Sequence, residues 1–137
     1  MTRQEIAFLI VKGETPQGIK NHGYGYKTAC TTAVLAFFGI GKDRFHFCQF
    51  VDDMVRIFNA DGWKCQALHR RKEIKGKAVN SLPKLVGRGY YLVQTKGHAF
   101  LAYVSDKKEL SFPVQTAPAP TKTDQRRILT LHKITTK

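Results

Sequence analysis

Cys30 and His98 are the residues whose types and positions favour nucleophilic chemistry. Cys30 lies in the first turn of an apolar helix predicted from Thr28 to Gly39, directly after a glycine-rich loop. The unpaired N–H groups and dipole at the start of a helix favour a thiolate, and the N–H of Cys30 is placed to bind an oxyanion. His98 follows Gly97 at the start of a predicted strand, where the strand would hold its ring in place. The pair therefore predicts a Cys-His acyl-transfer site.

A third residue is needed to orient the imidazole, and Gln115 is the predicted candidate. A symmetric turn over 105–108 would pair Val104 with Glu109 and, by extension along the two strands, His98 with Gln115. Side chains on directly opposed strand positions lie about 5 Å apart at their Cβ atoms. A shift of one residue in register would replace Gln115 with one of its neighbours.

Each of these residues also has an ordinary structural interpretation. Free cysteine packs as a small hydrophobe, which is the role expected for Cys48 on a helix stripe and for Cys65 in a strand. A histidine at a strand edge is most often a surface residue. Zinc would need clustered ligands, and no such spacing is present among Cys30, Cys48, Cys65, His22, His46 and His69. No phosphate-binding Gly-x-x-x-x-Gly-Lys loop is present either, so no metal or organic cofactor is predicted.

The elements that must position this site are helices followed by strands. Predicted helices run from Thr2 to Gly13, where Thr2 and Glu5 have capping-box spacing, from Thr28 to Gly39 and from Asp43 to Ala60. The run Val79 to Val86 predicts one helical turn interrupted by Pro83. Hydrophobic alternation and turn residues predict five strands, namely Trp63–Leu68, Tyr90–Gln94, His98–Val104, Glu109–Gln115 and Arg127–Ile134. This order predicts a single α+β domain over 1–137.

The charge of the chain is concentrated in its second half. Residues 69–137 contain 15 Lys and Arg against 4 Asp and Glu, whereas residues 1–68 contain 8 against 6. A basic half of this kind attracts nucleic acid or an acidic protein, although it also favours solubility alone. The candidate binding patch consists of Arg70, Arg71, Lys72, Lys75, Lys77, Arg126 and Arg127. Aromatic residues also interleave with basic ones at Tyr90, Tyr91, Phe100 and Tyr103. This pattern is typical either of a sheet that binds single-stranded nucleic acid or of a core or sheet surface.

Length and composition limit the size of the core and the cellular location that we expect. The chain has 137 residues, of which 42% are hydrophobic, enough for one core without disulfide or metal support. No apolar run approaches the roughly 18 residues of a membrane span, and the apolar run near the start lacks a cleavage site. We therefore expect a cytoplasmic protein with no membrane partner.

Three segments of the sequence resemble papain-like cysteine peptidases, and most of all small versions encoded by bacteriophages. They are "TACTTAVLAFFGI", "SLPKLVGRGYYLVQTKGHAFLAYVSDKKELSF" and "RRILTLHKI", which together span Thr28 to Ile134. The resemblance implies N-terminal helices packed on a C-terminal antiparallel sheet of about five strands. The N-terminal helix and loop would occupy 1–27, the helices 28–62 and the sheet 63–137. Cys30 would be the nucleophile and His98 the general base.

The sequence departs from the family at two positions. Family members carry Asp or Asn after the hairpin, where "LSFPVQTA" offers only the amide of Gln115. Many relatives also carry an upstream oxyanion glutamine, and the nearest cleft candidates here are Tyr24, Asn21 and Gln17. The resemblance implies hydrolysis of a peptide, isopeptide or related amide, with an acidic host protein as a substrate. The alternative is an inactive papain-like fold that binds and inhibits a host protein or a nucleic acid in the host cytoplasm.

Overall fold

The computed structural model of the chain describes residues 2, 5, 33–40, 51–114, 121 and 123–136. Within this part of the chain the fold is mixed α+β with a five-stranded antiparallel sheet, which confirms that part of the predicted fold class. The helical elements are a segment over 33–37, α1 (Val51–Ala60), a 3₁₀ turn (Val79–Ser81) and α2 (Leu82–Leu85). The strands are β1 (Trp63–Ala67), β2 (Gly89–Thr95), β3 (His98–Val104), β4 (Leu110–Ser111) and β5 (Thr130–Thr136).

The strand order in the sheet is β1-β5-β2-β3-β4, and every neighbouring pair is antiparallel. The last strand, β5, therefore lies inside the sheet, between β1 and β2. Ile134 of β5 shows this placement, because it pairs with Cys65 of β1 on one side and with Tyr90 of β2 on the other. Both rows of backbone hydrogen-bonding groups of β5 are used in this way.

One face of the sheet, the helix face, is covered by the segment 33–40 and by α1. Met54 and Phe58 of α1 are completely buried, four residues apart, which places both side chains on one side of the helix. The ring of Phe38 packs edge-on against Phe58 at 5.1 Å and against Trp63 of β1 at 5.0 Å. These contacts join the helical layer to the sheet.

The opposite face, the loop face, is covered by the chain between β1 and β2 together with residues 124–128. Ile74 is 1% exposed and packs in the same cluster as Tyr91 and Phe100 of the sheet. The charged run from Arg70 to Lys77 is therefore anchored to the sheet by one apolar side chain.

The predicted helix signals are present where the structure describes them. The backbone N–H of Glu5 donates to the Thr2 hydroxyl at 3.1 Å, which is the capping bond predicted for the first helix. Gly39 has a φ of +74°, the left-handed conformation that ends a helix. None of the described helices is long and apolar enough to cross a membrane.

Pro83 lies in the first turn of a helix, and the prediction that it interrupts one is wrong. The 3₁₀ turn leads directly into α2, and Pro83 occupies the first turn of that helix. Proline is tolerated there because the N–H groups of the first turn have no partner within the helix. Leu82, at the start of α2, is fully buried and attaches this short helix to the loop face.

The two hairpins differ in how well they follow the prediction. The turn at 96–97 is confirmed, and Gly97 has a φ of +78° that a residue with a side chain rarely adopts. In the second hairpin Val104 pairs with Leu110, so the predicted pairing with Glu109 is wrong by one residue. The cause is Lys108, whose φ of +62° lengthens the turn by one residue.

The beginning of the last strand also differs from the prediction. β5 starts at Thr130, three residues after the predicted start at Arg127. Arg127 forms instead an isolated antiparallel bridge with Ala78, outside the sheet. This bridge connects the segment before β5 to the segment before the 3₁₀ turn.

Candidate functional site

His98 opens β3 and closes the hairpin with β2. It pairs with Thr95 across the turn at 96–97, and its side chain is half-buried. Thr95 is 1% exposed, and its hydroxyl has no hydrogen-bond partner within the part of the chain that the structure describes. A half-buried imidazole beside an unpartnered hydroxyl is an arrangement in which the ring can be oriented by its neighbour.

The register of β3 fixes the side of the sheet on which His98 lies. Ala99 and Leu101 pack against the helical segment 33–40 on the helix face, whereas Phe100 packs on the loop face. Because side chains alternate along a strand, His98 lies on the loop face with Phe100. The imidazole is thus on the side of the sheet away from the helical segment.

The pairing of Val104 with Leu110 differs from the register on which the choice of Gln115 as the partner of His98 was based. β4 ends at Ser111, and the shift of one residue at Val104 changes the extrapolated partner of His98. Gln115 itself lies outside the described residues, as do the other predicted members of the site. These are Cys30, Gln17, Asn21 and Tyr24. The Cys30–His98 pair therefore stays a prediction.

Among the described cysteines, Cys65 behaves as the sequence predicts. It is a free thiol on β1 that packs against the core of the helix face. Burial raises the pKa of this thiol from 9.0 to about 11. Since the thiolate is the reactive form, Cys65 has the properties of a packing residue and not of a nucleophile. Cys48 lies outside the described residues.

Two distant segments meet to form one cationic surface. We define the basic surface as six exposed side chains, those of Arg70, Arg71, Lys72, Lys75, Lys77 and Arg127. The bridge between Ala78 and Arg127 joins the two segments, and the N–H of Ile128 donates to the Lys77 carbonyl at 2.9 Å. The Arg127 guanidinium also donates to the Gly76 carbonyl at 3.1 Å. These contacts place Arg127 beside the end of the run that carries the other five cations.

The turn that carries five of these cations is itself held by hydrogen bonds. The N–H groups of Ile74 and Lys75 donate to the Arg71 carbonyl at 3.0 and 2.9 Å, and the N–H of Lys77 donates to the Ile74 carbonyl at 3.0 Å. With Ile74 buried beneath it, the turn has a fixed backbone. Glu73 is the one carboxylate of the run 70–77. The five cations of this run are therefore attached to an ordered backbone.

Arg126 differs from its neighbours in the predicted patch because its charge is neutralised internally. Its Nε and Nη2 atoms donate to Asp124 at 2.7 to 3.0 Å, and its guanidinium lies 5.2 Å from the centre of the Phe100 ring. Burial raises the pKa of the Asp124 carboxyl, but the hydrogen bonds and charge of Arg126 outweigh this and hold the pKa below its usual range. The pair therefore orders the segment just before Arg127, and Arg126 is left out of the basic surface.

Two histidines form a second polar cluster that the sequence did not indicate. The rings of His69 and His132 lie 5.4 Å apart between centroids, and His132 is buried on the helix face. Burial and the neighbouring charge of His69 lower the pKa of His132, while Asp52 opposes this shift. Within the described ranges, no three His, Cys, Asp or Glu side chains are grouped so that they could hold a metal ion.

A cavity at the other end of the sheet also escaped sequence reasoning. Its volume is about 400 Å³, and Arg88, Tyr90, Tyr103 and Lys133 contribute to its lining. The one feature of the sequence that pointed towards this cavity is the interleaving of aromatic and basic residues along the strands. However, the same alternation includes Tyr91 and Phe100, which are buried in the core.

Comparison with known proteins finds no family model, no curated protein and no solved structure that matches this chain.

Proposed function

We propose that this protein binds nucleic acid through the phosphate backbone, using the basic surface. The proposal rests on six exposed cations that lie on two segments distant in sequence, which a backbone bridge and a side-chain hydrogen bond join. Lys and Arg side chains bind phosphate oxygens and release the counterions condensed on the nucleic acid. The +11 net charge of residues 69–137 adds a long-range attraction to the same partner.

The composition of the surface favours nucleic acid over an acidic protein. Three of the six cations are lysines, which are depleted at protein–protein interfaces, and those interfaces also rely on buried apolar anchors. The apolar residue of the turn, Ile74, points into the core, and Leu129 is the only large hydrophobic side chain exposed in the described part of the chain. No aromatic residue occurs in the run 70–77. Contacts to phosphates, independent of base sequence, are therefore expected.

The strength of the interaction should depend steeply on salt. If all six cations neutralise phosphates of a DNA duplex, the slope of log affinity against log salt is about −5. Affinity would then fall roughly 1,000-fold between 50 and 200 mM salt. This steepness distinguishes a phosphate-binding surface from a basic surface that serves solubility alone.

The test is fluorescence anisotropy with a labelled DNA duplex of about two helical turns, over 50 to 200 mM salt. Replacing two cations of the turn, Arg71→Gln with Lys75→Gln, should reduce the magnitude of the salt slope by about 2. The matched control is Lys84→Gln with Lys107→Gln, which removes the same charge from exposed positions outside the surface. Equal slopes for the two double variants, or no binding at 50 mM, would refute the proposal.

An acidic protein partner is a distinct outcome of the same experiment. Polyglutamate that binds while the duplex does not would identify an acidic protein as the partner. Leu129→Ser should then weaken binding, because an exposed leucine is the only apolar anchor that the described residues offer next to Arg127. With nucleic acid as the partner, the same substitution should have little effect.

A second proposed function is papain-like thiol hydrolysis, with Cys30 as the nucleophile and His98 as the general base. The observation on which it rests is the half-buried position of His98 at the start of β3, directly opposite Thr95 in the register. Because His98 lies on the loop face, the pair requires Cys30 to reach that face as well. The substrate would be a peptide, isopeptide or related amide of an acidic host protein, and the papain-like fold belongs to this proposal. For either function, the proposed location is the cytoplasm. If the protein is encoded by a phage, this is the cytoplasm of the host.

The hydrolase proposal is tested by the reactivity of Cys30 towards an alkylating agent at different pH values, read by mass spectrometry. A thiolate–imidazolium pair should give rapid labelling of Cys30 below pH 7, and His98→Ala should abolish it. His46→Ala is the control for loss of a histidine elsewhere in the chain. A labelling profile that follows an ordinary thiol of pKa near ~8.5, unchanged in His98→Ala, would exclude the pair.

A further inference from the structure

One end of the loop face is open to solvent. Leu131 of β5 and Tyr91 of β2 are buried under the covering chain, but the next positions of their strands on the same face are only half-buried. The positions of β1 beside them are exposed. We define the open strip as these five residues, namely Lys64 and Gln66 of β1, Lys133 and Thr135 of β5, and Gly89 of β2.

The alternation of side chains along the strands places the open strip on the loop face. Cys65 of β1 packs on the helix face, so the side chains before and after it point to the loop face. Ile134 of β5 also packs on the helix face, so the same holds for the residues on either side of it. The register sets Lys64 directly opposite Thr135. The polar side chains of the strip therefore share one surface.

Lys133 is a cation whose position is set by its surroundings. A Cβ atom placed on Gly89 would lie 3.0 Å from Cε and 3.8 Å from Nζ of Lys133, so the lysine side chain occupies the room that glycine leaves on β2. Its ammonium lies 6.0 Å from the centre of the Tyr91 ring, at the outer limit for a cation–π contact. A side chain that is already placed loses less entropy when it binds an anion.

Two cations flank a hydroxyl in this strip. Thr135 has Lys64 beside it on β1, and the register of β2 with β5, continued by one residue, sets Gly89 beside it on the other side. Because the Lys133 ammonium lies over Gly89, the Thr135 hydroxyl is placed between the two lysines. None of the five residues of the strip is acidic, and neither lysine forms an ion pair within the described residues. Ammonium and hydroxyl groups are donors that bind phosphate oxygens.

The open strip borders the basic surface. Leu68 lies on the loop face two residues after Gln66, about 7 Å further along the chain of β1. The N–H of Arg71 donates to the Leu68 carbonyl at 3.1 Å, so the run 70–77 begins at this point of the sheet. A nucleic acid bound to the basic surface is therefore adjacent to the strip.

We propose that the backbone of the bound nucleic acid continues from the basic surface across the open strip, where Lys64, Lys133 and the Thr135 hydroxyl bind phosphate oxygens. This inference rests on the proposed function and deepens it, because it raises the number of cations that meet phosphates from six to eight. The slope of log affinity against log salt for a DNA duplex is then about −7. The strip offers no aromatic ring for stacking, since Tyr91 is buried, so these contacts are independent of base sequence.

The test is fluorescence anisotropy with the labelled duplex over 50 to 200 mM salt. Lys64→Gln with Lys133→Gln should reduce the magnitude of the salt slope by about 2, and Lys64→Gln alone, at an exposed position, by about 1. Thr135→Val should weaken binding about fivefold and leave the slope unchanged, because a hydroxyl donates a hydrogen bond but carries no charge. The matched control is again Lys84→Gln with Lys107→Gln, which removes two charges from exposed positions outside both surfaces.

The outcomes separate this inference from the proposed function. If Arg71→Gln with Lys75→Gln lowers the slope while Lys64→Gln with Lys133→Gln matches the control, the basic surface binds nucleic acid and the inference about the strip is overturned. A slope lowered only by the strip variant would support the strip and contradict the role of the turn. No binding of the wild type at 50 mM salt would overturn both.

Discussion

The Asp124–Arg126 pair supports the segment that carries Arg127, and Asp124→Asn is the perturbation that tests this role. Asp124 accepts hydrogen bonds from the backbone N–H of Arg126 at 2.9 Å and from its guanidinium at 2.7 to 3.0 Å. Its own carbonyl accepts from the N–H of Asn80 at 2.8 Å. The side chain of Asp124 is 6% exposed, so its charge is compensated by Arg126 and not by water.

The expected loss of unfolding free energy in Asp124→Asn follows from the exposure of Asp124 and Arg126. Removing one member of a buried ion pair costs roughly 3–5 kcal/mol, because the other charge is left uncompensated. Arg126 keeps 28% of its side chain exposed, and asparagine retains one acceptor oxygen. Both features reduce the cost, and we expect a loss of about 2 kcal/mol. With a urea m value of about 2 kcal/mol/M, the unfolding midpoint would fall by about 1 M.

The assay is urea unfolding at pH 7, followed by the fluorescence of Trp63, the only tryptophan of the chain. The matched control is Asp106→Asn, which breaks the ion pair with Arg88 between exposed side chains and should change stability by less than about 0.5 kcal/mol. A midpoint for Asp124→Asn as high as that of Asp106→Asn would refute the reasoning.

The Asp124–Arg126 pair also makes the unfolding free energy depend on pH, in a defined direction. The pKa of Asp124 in the folded protein lies below the ordinary value of 3.8. Its stabilisation is therefore complete above that value and is lost as the pH falls through the lower pKa of the folded state. The difference in unfolding free energy between the wild type and Asp124→Asn should shrink in this acid range.

Two further predictions concern other titrating groups. Because burial and the charge of His69 lower the pKa of His132 below 6.5 in the folded state, the unfolding free energy should decline as the pH falls below that value. Urea unfolding between pH 7.5 and 5 should show a steeper decline for the wild type than for His132→Leu, and parallel curves would contradict this. Cys65, with its pKa raised from 9.0 to about 11, should be alkylated at pH 8 about 100-fold more slowly in the native protein than in urea. Peptide mass spectrometry measures this ratio, and similar rates in the two conditions would be inconsistent with the buried thiol.

Local signals in the sequence predicted much of the sheet. The turn at 96–97 was predictable because Gly97 follows an apolar alternation, and the burial of Cys65 followed from its place in a strand pattern. The register of the second hairpin was not predictable, since it depends on Lys108 adopting a positive φ that nothing in its side chain favours. One residue of shift is enough to change the predicted partner of His98.

The candidate sites also differ in how far local sequence signals could predict them. The cations of the run 70–77 were visible in the sequence because they are adjacent, whereas their junction with Arg127 depends on a bridge between residues far apart in the chain. The cavity was less visible still. Its lining comes from three strands, β2, β3 and β5, and only the strand order places these strands side by side. Side-chain type is local information, but strand order is set by long-range packing.

The inner position of β5 also determines when the protein can complete its fold during synthesis. Within the described residues, β1 has no strand neighbour except β5, and β5 leaves the ribosome after the other described strands. The hairpin of β2 and β3 can form early because its contacts are local, but β1 has no partner strand until β5 has been synthesised. A nascent chain whose Val104 has left the exit tunnel while Thr130 is still inside it should therefore have a hairpin that resists proteolysis while the segment around Trp63 is cleaved.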